Sequence, residues 1–157
     1  MINMEIDKIT AFLKDWALEF IKNKNLVTKS IKDIQDKGNF LLIKHKDKEQ
    51  KVIIIPFLNS FYDAFKELSA EPEMHLTVVT FNCDQSFKAM LDNWNELIKH
   101  RNLSIYFANP FSMIDKKWII FPHTHAKICD EESFETGLKS MFETVDKITE
   151  EEAKRKI

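Results

Sequence analysis

The run Val52-Ile53-Ile54-Ile55-Pro56-Phe57-Leu58 is apolar at every position. A strand with one face in water alternates apolar and polar residues, so a run without alternation has to be covered on both faces. The run at 76–82, LTVVTFN, is of the same buried kind, and 103–109, LSIYFAN, is a further strand. Covering both faces of a sheet takes helices on both sides, and segments of helical periodicity lie between these runs. None of the runs approaches the ~20 apolar residues that span a bilayer. The expectation is one α/β domain over 1–148, with a mixed sheet flanked by helices, followed by a charged tail at 149–157.

The remaining elements fall around these strands. A helix is expected at 4–22, where Ile6, Ile9, Phe12, Leu13, Trp16, Phe20 and Ile21 form one stripe. Strands at 26–35, 39–46 and 51–58 follow, with turns at Asp36-Lys37-Gly38 and Asp47-Lys48-Glu49-Gln50, which makes an antiparallel meander. Ser60 caps a short helix carrying Phe61, Ala64, Phe65 and Leu68, and Asp84 caps a helix at 85–100. The strands at 103–109 and 117–122 make a wide hairpin, and Asp130 caps a terminal helix at 131–148. Helical crossovers make the strands at 51–58, 76–82 and 103–109 parallel.

Composition removes several function classes. Gly38 and Gly137 are the only glycines, so the Gly-rich loops that cradle phosphates are absent. No cofactor is expected. The formal net charge of −2 lacks the basic surplus of a chain that lives on nucleic acid. Cys83 and Cys129 are far apart, with no CxxC, and read as free thiols of a reducing cytoplasm; the alternative is a single disulfide. The opening MINMEIDKIT has no apolar core of a secretory signal, and no membrane association is expected.

A helix, a three-stranded meander, a helix and a parallel strand, in that order over about residues 4–82, resembles the core of the PD-(D/E)xK nucleases, the restriction-endonuclease-like fold. The resemblance rests on element order. In that family an Asp opens the second meander strand, and an acid and a Lys sit in the third; the acids hold a divalent cation and the Lys positions water. Here Asn39, Ile54 and Pro56 fall near those positions. An isoleucine cannot ligate a metal and a proline cannot carry a proton. The resemblance therefore implies a nuclease-like scaffold without nuclease chemistry.

Candidate sites come next. Asn59, Asn82 and Asn109 end the parallel strands, with Ser60, Cys83 and Asp84 beside helix starts. Ligands of open α/β sheets bind at that rim, so these residues form a candidate ligand site; the same residue types also end strands and cap helices. Cys83 at a helix start is a candidate nucleophile, opposed by the adjacent Asp84. His123 and His125 would share one face if the strand continued past Phe121, which offers a metal pair; the alternative is two histidines bonded to backbone in a connection. The basic run from Lys44 to Lys51 at a hairpin tip could touch phosphates, though acids interrupt it. Phe111, Met113 and Trp118 belong to an aromatic hairpin that suits either the core or a homodimer contact. Two function classes follow: a non-catalytic binding or assembly domain associated with nucleic-acid processing, or a small enzyme working at the Asn59/Asn82/Asn109 rim.

Overall fold

A computed structural model describes residues 4–157, with side chains from residue 8 onward; Ile6 of the expected stripe lies outside the described side chains. The strands β1 (Ile31–Asp36), β2 (Leu41–His45), β3 (Glu49–Ile54), β4 (His75–Phe81), β5 (Leu103–Ala108) and β6 (Lys117–Ile120) form one six-stranded sheet in chain order. β1, β2 and β3 pair antiparallel as the expected meander. β3, β4 and β5 are parallel, and β6 returns antiparallel to β5.

The unalternating strands are covered on both faces. α1 (Met4–Thr28) lays Ile9, Leu13, Ala17 and Ile21 over Leu41, Ile43, Val52, Val79, Phe81 and Tyr106. The other face is covered by α2 (Tyr62–Ala70), α3 (Asp84–Asp92), the one-turn α4 (Trp94–Leu97) and α6 (Phe134–Phe142). These bury Leu68, Met90, Leu97 and Leu138 against Leu76, Val78, Ile105 and Phe107. Val78 and Val79 are both fully buried, yet they belong to the two opposite layers, as the two-residue period of a strand requires.

Several boundaries differ from the sequence reading. α1 runs on to Thr28, so 26–28 is helix rather than strand. Leu26 and Val27 are 73% and 85% exposed, so their hydrophobicity carries no burial signal. Lys29, at φ 50, ends the helix in the left-handed region; its N–H bonds Asn25 O, and the Asn25 side chain accepts the Ile31 N–H. The helix expected at 85–100 breaks at Asn93, whose amide donates back to Ala89 O at 2.7 Å. Cys83, not Asp84, is the N-cap of α3, and Phe61 rather than Ser60 precedes α2. Ser133 rather than Asp130 precedes α6, which ends at Phe142.

Two helices replace what reads as strand end and tail. β6 stops at Ile120, and Pro122 opens α5 (Pro122–Ile128); its fixed φ and missing N–H suit a first helical position. The segment 149–157 is not a free tail. It holds α7 (Glu150–Lys156), capped by Thr149 Oγ1, which accepts the Glu152 N–H at 3.1 Å. Acids fill its first turn and bases its last, in line with the helix dipole, and Ala153 is fully buried in the α1 layer. Among the described residues no helix is long and apolar enough to cross a membrane.

Candidate functional site: a polar row in a cleft

Beyond β4 and β5 the rim is occupied by the chain itself, while past the end of β3 a hollow of about 380 Å³ remains, lined by Pro56, Asn59, Gln85 and Glu150. Asn82, fully buried, donates from Nδ2 to Phe142 O at 3.1 Å and Val145 O at 3.0 Å. Its Oδ1 accepts the Trp118 indole N–H at 2.7 Å. Asn109 donates to Asp146 O at 2.8 Å and accepts the Phe111 N–H. Both amides hold the segment after α6 in place instead of facing a ligand. Asn59 is exposed and accepts from Gln85, Ser60 accepts the Tyr62 N–H at 3.4 Å, and Asp84 pairs with Lys147 at 3.3 Å. Cys83 is buried against Ser86, and burial, with the Asp84 charge added, pushes its thiol up despite the Ser86 contacts. Both cysteines are free.

The histidine pair is also separated. On a helix, residues two apart point away from each other. His123 Nδ1 lies 2.7 Å from Ile98 O, while His125 sets its ring edge-on to Trp94 at 5.7 Å, and burial pushes its pKa down. Among the described residues no group of three His, Cys, Asp or Glu side chains is placed to hold a metal ion. At the basic hairpin, Lys51 is buried and ion-paired with Glu67 at 2.7 Å and Glu71 at 3.5 Å. Of the aromatic hairpin, Trp118 belongs to the core, 3% exposed and stacked on Phe107 at 4.4 Å. Phe111 stacks on Phe12 at 5.4 Å, and Met113 alone of the three is open to solvent.

The opposite end of the parallel strands is hollow. A cleft of about 460 Å³ opens between the last turn of α1, the β2–β3 hairpin and the starts of β4 and β5. The α1-facing side of the sheet is apolar along Leu41, Ile43, Val52 and Val79. In the outermost row it turns polar, and the side chains there connect. Ser30 Oγ lies 3.0 Å from His45 Nδ1, and His45 Nε2 lies 2.8 Å from Gln50 Oε1. Gln50 Nε2 donates to Thr77 Oγ1 at 2.7 Å, and Thr77 Oγ1 lies 2.8 Å from Ser104 Oγ. The Thr77–Ser104 step follows directly from the β4–β5 register, which sets those two residues opposite each other.

Donor counting orders the protons along this row. The Gln50 carbonyl only accepts, so His45 Nε2 carries hydrogen, and in the neutral ring Nδ1 accepts from Ser30. Thr77 accepts from Gln50, and either hydroxyl of the Thr77–Ser104 pair can donate to the other. One hydroxyl proton of the Thr77–Ser104 pair is thereby left to give at the cleft floor. Tyr106 also lines the cleft, its phenol neutral at ordinary pH and pushed further from ionisation by burial.

Charge at the mouth is mixed. Lys24, Lys48 and Arg101 line it, as does Asp47. The carboxyl end of α1 also lies here, and a helix C-terminus acts as roughly −0.5 of a charge. Burial pushes the pKa of His75 down, with the Lys48 charge adding to it. Apolar walls come from Ile21, Ile31 and Phe121. Three cations stand against one carboxylate and a helix end, so the mouth is net positive.

No family model, curated protein or solved structure matches this chain.

Proposed function

We propose that this chain is a non-catalytic binding domain that holds a small polar ligand in the cleft at the strand N-termini. The connected row from Ser30 to Ser104 is the observation that carries this reading. Hydroxyls in a buried strand row gain little over valine from packing, and a packing role alone favours apolar residues there. Here they build a pre-ordered floor with an available donor. The test is a thermal-shift screen of neutral sugars, nucleosides and amino acids, followed by calorimetry on any hit. At least one compound should raise the melting temperature, and Ser104→Ala should weaken it about tenfold, the value of one lost hydrogen bond. A screen without hits, or a hit that Ser104→Ala and His45→Ala leave untouched, removes the reading.

The scaffold we propose is a nuclease-like core that has lost its chemistry. Its support is the order α1, β1 to β3, α2, β4, with the meander paired consecutively and β4 parallel to β3. Asn39, just before β2, Ile54, at the end of β3, and Pro56, just past it, fall near the positions where that family places its acids and lysine. DNA incubated with the protein and Mg²⁺ or Mn²⁺ should stay intact, and cleavage abolished by Asp84→Ala would show the strands to be misassigned. Nucleic acid is the partner class this scaffold brings, and fluorescence anisotropy with single- and double-stranded DNA tests it at the Lys44–Lys48 tip. Assembly as a homodimer completes the reading.

A further inference from the structure

We propose that the chain dimerises by antiparallel pairing of β6 with β6 of a second copy, an inference that rests on the assembly reading above. A six-stranded open sheet has two edges, and they are not alike. β1 is guarded: its register shifts between Ile31 and Asp33, and it carries Lys32, Asp33 and Asp36. A bulge and charges are the usual means of keeping an edge from pairing. β6 has an unbroken register with β5 and the sequence Lys-Trp-Ile-Ile. Its lysine is folded back, with Nζ 5.0 Å from the centre of the Phe20 ring.

The β5–β6 ladder says which groups are free. Asn109 N–H donates to Lys116 O, so the pairs that exchange hydrogen bonds are that one and each second pair along, Phe107 with Trp118 and Ile105 with Ile120. Lys117 and Ile119 therefore turn their N–H and C=O groups outward. Among the described residues no backbone bond outside the β5–β6 ladder engages Lys117 or Ile119; just before the strand, Asp115 is bridged to Val145.

A two-fold axis beside Trp118 matches these groups to themselves. It sets Lys117 of one copy opposite Ile119 of the other, each giving and accepting a bond. The same axis separates the lysines, which would repel if directly opposite. The pairing is confined to β6 itself, because Asp115 is bridged to Val145 and Pro122 opens α5. Ile114, 58% exposed, and Phe121, 52% exposed, flank the strand and leave apolar surface at either end for a second copy to cover. A two-fold contact counts each of these gains twice, which a single peptide strand laid on so short an edge would not.

The experiment joins sedimentation velocity on the full chain with amide hydrogen exchange. At high concentration the species should have twice the chain mass, and the amides of Lys117 and Ile119 should slow on dimerisation, while those of Trp118 and Ile120 are slow throughout. Ile119→Lys sets a lysine against Lys117 of the other copy and should weaken the dimer at least tenfold. Ile119→Glu sets an acid there and should keep the dimer, which also controls for any effect of the substitution on folding. A monomer at every concentration overturns both this inference and the assembly reading. A dimer in which Lys117 and Ile119 amides still exchange fast, or which ignores Ile119→Lys, overturns the β6 interface alone.

Discussion

The Trp118 indole N–H donates to Asn82 Oδ1 at 2.7 Å, with both side chains almost wholly out of water. This bond ties the edge strand β6 to the end of β4, and the Asn82 amide reaches on to the carbonyls of Phe142 and Val145. One side chain thus joins two strands and the segment that closes the rim. Asn82→Asp can still accept from Trp118, but it cannot donate to two carbonyls and it buries a charge. Urea denaturation should show a loss of about 3 kcal/mol for Asn82→Asp, and nearly as much for Asn82→Ala. A loss below about 1 kcal/mol would mean that water takes over these bonds.

α7 should behave as part of the domain. Ala153 is fully buried in the α1 layer, so Ala153→Asp should cost about 3 kcal/mol through overpacking and an unpaired charge. Thr149→Ala should cost about 1 kcal/mol, the usual worth of an N-cap. A chain ending at Thr149 with an unchanged melting temperature would show α7 to be ornamental.

Thiol chemistry separates the two cysteines. Cys83 is buried, its thiol is pushed up by that burial, and it serves as the α3 cap. Cys129 is partly open. Iodoacetamide on the folded protein at neutral pH should alkylate Cys129 first and reach Cys83 only on unfolding. Mass mapping of the peptides reads the order, and early labelling of Cys83 would contradict it.

Acid should weaken the fold through its histidines before the carboxylates titrate. His125 and His75 have folded pKa values below the ordinary 6.5, in both cases because burial disfavours the charged ring. The unfolded chain then takes up protons first as pH falls, so this stabilisation is complete above 6.5 and is lost progressively below it. The melting temperature should fall between about pH 7.5 and about pH 5.5. His125→Phe keeps a ring against Trp94 without the titration and should flatten that slope. An unchanged slope would assign the effect elsewhere.

Parts of this structure were legible residue by residue and others were misleading. Thr149 followed by Glu152 spells a capping box, and Pro122 after a strand is a helix opening; both signals stand in the sequence for α7 and α5. Leu26 and Val27 suggest a strand only if burial is assumed, and they are exposed. Asn82 and Asn109 are correctly placed at strand ends, but local propensity cannot tell whether an amide there meets a ligand or the chain's own carbonyls. Thr77 and Ser104 were a visible clue to the cleft, as polar residues inside otherwise apolar strands.

What the sequence by itself determined is the architecture. The run at 52–58, of which 52–54 is strand, leaves no face for water, so helices had to cover both sides, and the turns, expected at 36–38 and 47–50 and found at 37–40 and 46–48, made β1 to β3 a meander. These are consequences of local period and turn chemistry, which act within a few residues. What only the tertiary structure decided is where polar groups find partners. Ser30, His45, Gln50, Thr77 and Ser104 come from separate parts of the chain and meet because strand register sets them in one row. The amide that looked ready for a ligand, Asn82, was claimed by carbonyls some sixty residues later in the chain. A buried polar group takes whatever partner packing brings within hydrogen-bond distance, and packing is a property of the whole fold.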